Sequence, residues 1–314
     1  MVEDNQRPRP ALPPGAERPQ WHHRPLAPGE LRRIPHLLRD TFALIGRRWR
    51  PMGEYALIGA AGYLVAFVML FLGLNALFGG QFFTMIDELS DPLGDSQPNY
   101  GTWLESFDVT PTATAIVLLV AFGLASLIGY FVQDIAATHT ALDDVEGREI
   151  SASRALAVAF RRLPKVFAMV MVLGTVACAG CFLLYWVHSA FAILWALTLL
   201  PLLVVFGPLL PVYFVMAYLT PGMPSPRRWM RLMRGRKAAI WGRVVLIIVA
   251  IQVISIAISA SLGPMPLPDL YGDLVINLVV TPLTFVFTAV AYLLIYADLV
   301  TAEKSAPTEV VSPS

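Results

Sequence analysis

Charge is in short supply in this sequence. Only 14% of its 314 residues are Asp, Glu, Lys or Arg, whereas 56% are hydrophobic, and the mean hydropathy is +0.63. A soluble domain carries roughly 25% charged residues, so a fold facing water on all sides is excluded. Cysteine is nearly absent: the chain has two, Cys178 and Cys181, in the tetrapeptide CAGC. A disulfide framework is thereby excluded. Three motifs that announce chemistry are missing as well. There is no G-x-x-x-x-G-K-[ST] for a nucleotide phosphate, no H-E-x-x-H for zinc and no G-x-S-x-G for a nucleophilic serine. No catalytic residue, cofactor or metal is expected. His22 and His23 are adjacent but have no companion ligands nearby, which is not a metal site.

What the chain has is long apolar runs. Six are long enough to cross a bilayer as helices, at about Tyr55–Phe78, Thr112–Ala136, Lys165–Val187, Ser189–Leu219, Arg243–Leu262 and Leu274–Val300. The fourth contains Pro201, Pro208 and Pro211 and is expected as one kinked or broken crossing. The first 29 residues carry seven Pro and no apolar run, and predict a disordered cytoplasmic tail. Residues 30–303 then form one six-helix membrane domain, and residues 304–314 a second disordered cytoplasmic tail.

Lys and Arg are absent from every second connection. All 23 fall in segments 1–54, 137–165, 220–243 and the C-terminal tail. Loop 79–111 carries six acids instead, among them Asp87, Glu88 and Asp95. The positive-inside rule then places both termini and the basic loops of this multi-pass protein in the cytoplasm.

The basic residues are also locally patterned. Segment 225–243, SPRRWMRLMRGRKAAIWGR, holds seven Arg or Lys and no acid. Trp229, Met233, Ile240 and Trp241 fall near one helical face, and Ser225–Pro226 forms a helix start. Segment 30–50 gathers Ile34, Leu37, Leu38, Phe42, Ile45 and Trp49 on a face, and 151–167 gathers Leu156, Phe160, Leu163 and Phe167. Each reads as a basic amphipathic helix lying on the membrane surface just before an odd-numbered span. The even-numbered spans share Pro111, Pro201 and Pro282 in or near their outer halves and Tyr130, Tyr218 and Tyr296 near their inner ends. The fold class expected is an all-α integral membrane protein of six transmembrane helices, in three parallel two-helix repeats.

Three stretches, LRDTFALIGRRWRPM, EGREISASRALAVAFRRLPKVF and SPRRWMRLMRGRKAAIWGR, together with a last span closing on LLIYADL, carry a resemblance. The chain resembles the bacterial six-helix membrane-domain family found fused to glycerophosphodiester phosphodiesterases and as standalone proteins. The resemblance covers roughly residues 30–303. It implies six helices and an accessory role, and no active-site residue.

The expected function is that of a non-catalytic accessory or scaffold protein contacting anionic lipid or a partner protein at the cytoplasmic face. The alternative is a small transporter with a path between the repeats. The residues expected to meet lipid headgroups or a partner are Arg227, Arg228, Arg231, Arg234, Arg47, Arg48, Arg161 and Arg162. Asp134 and Asp298, near the inner ends of spans 2 and 6, are a candidate polar site, because ionisable residues in spans are costly and mark function. Cys178 and Cys181 lie among small residues and are expected to serve helix packing. Membrane lipids, a protein partner or a second copy of the chain are the expected partners. Nucleic acid is not, since the basic stretches are interleaved with apolar faces.

Overall fold

The computed structural model describes residues 31–84, 111–149, 151–187, 197, 206–262 and 269–304. Among them the backbone is helical, with no strand. The helices are α1 (Ile34–Arg47), α2 (Trp49–Leu77), α3 (Ala113–Val145), α4 (Ala152–Val187), α5 (Leu210–Leu219), α6 (Pro226–Leu232), α7 (Lys237–Leu262) and α8 (Asp269–Lys304). Within the described residues, segments in α2, α3, α7 and α8 are long and apolar enough to cross a membrane. The third expected span lies within α4, whose backbone runs unbroken to Val187. Most of the fourth lies outside the described residues. Its end is a 3-10 turn, Gly207–Leu209, followed by α5.

Two helices form the centre. Residues 131–138 of α3 are buried on all sides, and most of 286–299 in α8 is buried as well. The buried stretch of α3 is not purely apolar, since it includes Gln133, Asp134 and Thr138, and α2, α4, α5 and α8 pack on α3. The α2–α3 pairing is the closest. A Cβ on Gly62 would lie 3.0 Å from the Gly129 Cα, so both positions need glycine for the backbones to meet.

The three basic segments take three different forms. The first is a separate amphipathic helix, α1, whose apolar face is docked on the bundle. It buries Leu37, Thr41 and Leu44, and Phe42 packs against Phe287 of α8 with ring centroids 5.0 Å apart. The second is not a separate helix: residues 152–167 are the first turns of α4. Its buried stripe is Ala155, Ala159 and Val166, whereas Phe160 is 57% exposed. Small residues allow the closer approach, and the bulky aromatics turn outward. The helix passes Pro164 because the carbonyl that loses its donor, on Phe160, belongs to an exposed residue. The third is two helices. Gly235, at φ +73°, turns the chain between α6 and α7, so Trp229 and Met233 stand on one side of a corner and Ile240 and Trp241 on the other. Met233 and Ile240 are fully buried in the bundle, not in lipid.

Candidate functional site

All the basic segments meet at one end of the bundle. There α1, the starts of α2, α4 and α7 and the ends of α3, α5 and α8 are joined by polar contacts. The Arg47 guanidinium donates to Asp144 Oδ2 at 2.9 Å and Arg48 Nε to Asp144 Oδ1 at 2.6 Å. One turn further in, the Tyr55 and Thr140 hydroxyls are 2.8 Å apart. Lys165 Nζ donates to the carbonyls of Ala217, Thr220 (2.8 Å) and Gly222 (3.2 Å), and Arg162 also donates to Thr220. These two cations cap the C-terminus of α5, where the orphan carbonyls carry negative partial charge.

Asp298 belongs to a separate knot. It accepts from the backbone N–H of Arg32 at 3.0 Å and from the Arg32 guanidinium at 3.2 Å. The same guanidinium reaches Asp40 at 2.7 Å. Arg243 of α7 donates to the carbonyls of Leu31 and Arg32. Asp298 therefore holds the entry to α1 against α8, and α7 clamps it from the other side.

Asp134 is not part of that knot, so the two carboxylates do not form one site. It is 5% exposed, and none of the ion pairs among the described residues involves it. Its side-chain partner is the Tyr218 phenol, and the phenols of Tyr63, Tyr130 and Tyr292 lie within reach of its charge. Tyr130 and Tyr218, which the sequence marks as near the ends of spans, thus converge on Asp134. The third such residue, Tyr296, lies elsewhere, beside Arg228 and Glu303.

The remaining basic residues face outward. Arg228 approaches Glu303 at 4.0 Å. Arg161 is exposed on α4. Arg227, Arg231 and Arg234 are exposed and line a surface hollow of ≈ 560 Å³ together with Met230, Gly235 and Lys237. No acidic side chain lines it. Lys237 Nζ lies 5.3 Å from the Phe206 ring centroid, which steadies that cation beside the hollow. A second hollow of ≈ 480 Å³ is bordered by Arg47, Arg48, Trp49, Arg50, Pro51, Glu54 and Ala152. There the charge is mixed, because Glu54 contributes and Asp144 already holds Arg47 and Arg48.

Several residues at the centre carry no motif. Gln133 is fully buried and donates to the carbonyl of Pro282, joining α3 to α8. A Cβ on Gly59 would fall 1.8 Å from its Oε1, so Gly59 makes the room for it. Small residues at 59 and 62 in an apolar run are the sequence signal for such packing. Tyr63 and Tyr292 leave no comparable signal. Cys178 and Cys181 are on the backbone of α4, and their side chains lie outside the described set. No protein-family model matches this chain, and no curated protein or solved structure matches it.

Proposed function

We propose that this chain is a six-span membrane protein, with no reaction of its own, that holds anionic lipid headgroups at the cytoplasmic face of a bacterial cell membrane. The observation that carries the reading is the hollow at the α6–α7 corner. Its Arg227, Arg231, Arg234 and Lys237 have no carboxylate in the lining, whereas Arg32, Arg47 and Arg48 at the same end are paired with acids. Exposed Met230, 40% accessible, adds an apolar contact for the start of an acyl chain. A phosphate headgroup would meet several cations at once, each worth about 1 kcal/mol near the surface. The accessory role is also what the resemblance implies.

Native mass spectrometry tests the reading. The purified protein should retain phosphatidylglycerol or cardiolipin in preference to phosphatidylcholine. Replacing Arg227, Arg231 and Arg234 with Gln removes three cations, and at about 1 kcal/mol each the loss is about two orders of magnitude. Lys237 and Arg236 compensate in part, leaving an expected effect of about tenfold or more. Equal retention of both lipid classes by the unchanged protein refutes it. Unchanged lipid in the variant, with loss of a co-purifying acidic protein, assigns the hollow to a protein partner.

A further inference from the structure

Gln252 is exposed on the side of α7 that faces away from the bundle. Ile240, Val244 and Ile247 form the buried side of that helix. Ile248, Val249, Val253 and Ile256, between 46% and 67% exposed, surround Gln252 on the other. No hydrogen bond among the described residues involves its amide. Gln133, the other glutamine in an apolar run, is buried and donates to the Pro282 carbonyl.

Depth makes that exposure costly. Helix α7 starts at the basic end, where Arg243 is tied to the carbonyls of Leu31 and Arg32. At about 1.5 Å per residue, Gln252 lies about 14 Å beyond Arg243. That is near the middle of a hydrocarbon core about 30 Å thick. From there the side chain is too short to reach the headgroups, and acyl chains offer neither donor nor acceptor. The partner of this amide therefore comes from protein, at the same depth.

A second copy of the chain meets that condition. Copies inserted with one orientation are related by a two-fold axis along the membrane normal, so a residue at the contact meets itself at equal depth. An amide carries donors and an acceptor, so two glutamines satisfy each other. The flanking Ile and Val side chains are held in one rotamer in a helix, so they pack with little loss of freedom.

We propose that the exposed face of α7 is a homodimer interface, in which Gln252 hydrogen-bonds Gln252 of the partner subunit inside the membrane. The inference needs α7 to cross the bilayer, as in the function proposed above, but not the headgroup site.

The test uses the full chain in phosphatidylglycerol–phosphatidylcholine vesicles. Two fluorophore-labelled pools are mixed, and energy transfer is followed as the protein is diluted with lipid. Transfer is expected to fall as a dimer dissociates. Gln252→Leu should move the half-dissociation point to about tenfold higher protein density. Its thermal unfolding in detergent should be unchanged, because the amide bonds nothing in its own chain. With Cys178 and Cys181 replaced, single cysteines at 249 and 253 should cross-link between copies on oxidation. A cysteine at 64 on α2, where Leu64 is also exposed, should not. A monomer at every density overturns the proposal. So does association unchanged in Gln252→Leu, or cross-linking at 64 as efficient as at 249 and 253. A different membrane protein held through Gln252, with no self-association, overturns it too. A monomer that still prefers phosphatidylglycerol fails this inference alone and leaves the headgroup site standing.

Discussion

Gly59 shows how one atom decides the interior. Gln133 reaches across from α3 to the Pro282 carbonyl, and its side chain passes where a Cβ at position 59 would sit. Gly59→Ala must push the amide aside, and overpacking of this kind costs about 1–3 kcal/mol. Gln133→Ala clears the same space but strands the hydrogen bond. The two changes share one contact, so they cannot be additive. The double variant Gly59→Ala with Gln133→Ala is expected to be more stable than the sum of the single losses predicts. Unfolding midpoints of the four proteins in a denaturing-detergent titration measure this. Strict additivity would show that the glycine is there for another reason. The cost at Gly62 should have a different character, because the nearest atom is the Gly129 backbone and no side chain can move away.

Among the elements, α1 is the one most dependent on polar ties. Its entry is held by Asp298 through two contacts, and by Arg243 through the carbonyls before the helix. Removing one partner of a buried pair costs about 3–5 kcal/mol. Asp298→Asn should cost less, about 1–3 kcal/mol, because Asp40 still faces the Arg32 guanidinium and the amide can still accept from Arg32 N–H. The expected outcome is looser docking of α1, read as faster tryptic cleavage at exposed Arg33 in the otherwise folded protein. An unaltered cleavage rate would mean that Leu37 and Leu44 hold the helix without help. The same helix marks the limit of what the sequence discloses. Run length and hydropathy identified the apolar helices, since bilayer thickness imposes a minimum length that side-chain detail does not change. Periodicity also found the apolar face of α1. It could not tell lipid from protein as the partner of that face, because both are equally apolar. Nor could it separate the arginines that remain outward, such as Arg231, from Arg162 and Lys165, which cap α5. That distinction depends on which helix end lies opposite, a property of the tertiary arrangement alone. Asp134 and Asp298 looked alike for the same reason: each lies near the inner end of a run, yet one meets Arg32 and the other meets phenols.

For the whole molecule, the governing feature is that three widely separated basic stretches arrive at one end. Helices α2, α4 and α7 begin there, and α3, α5 and α8 finish there, as the contacts Arg48–Asp144, Lys165–Thr220, Arg228–Glu303 and Arg243–Arg32 require. That alternation of starts and finishes is what an even number of crossings produces when each pair returns to the same side. In the proposed orientation this end is cytoplasmic, because translocating Lys and Arg is disfavoured. Single cysteines placed in a background with Cys178 and Cys181 replaced would report it. In intact cells, a cysteine at 95 should react with a membrane-impermeant maleimide, and cysteines at 145 and 231 should react only after permeabilisation. Position 231 is the most informative of the three. It is exposed and lines the basic hollow at the α6–α7 corner, so its side fixes which leaflet the outward-facing arginines meet. Labelling at 231 from outside, with 95 protected, would invert the protein and move the hollow to the opposite leaflet. Labelling of 145 and 231 from opposite sides would instead require an odd number of crossings between them, and the six-span proposal would fail.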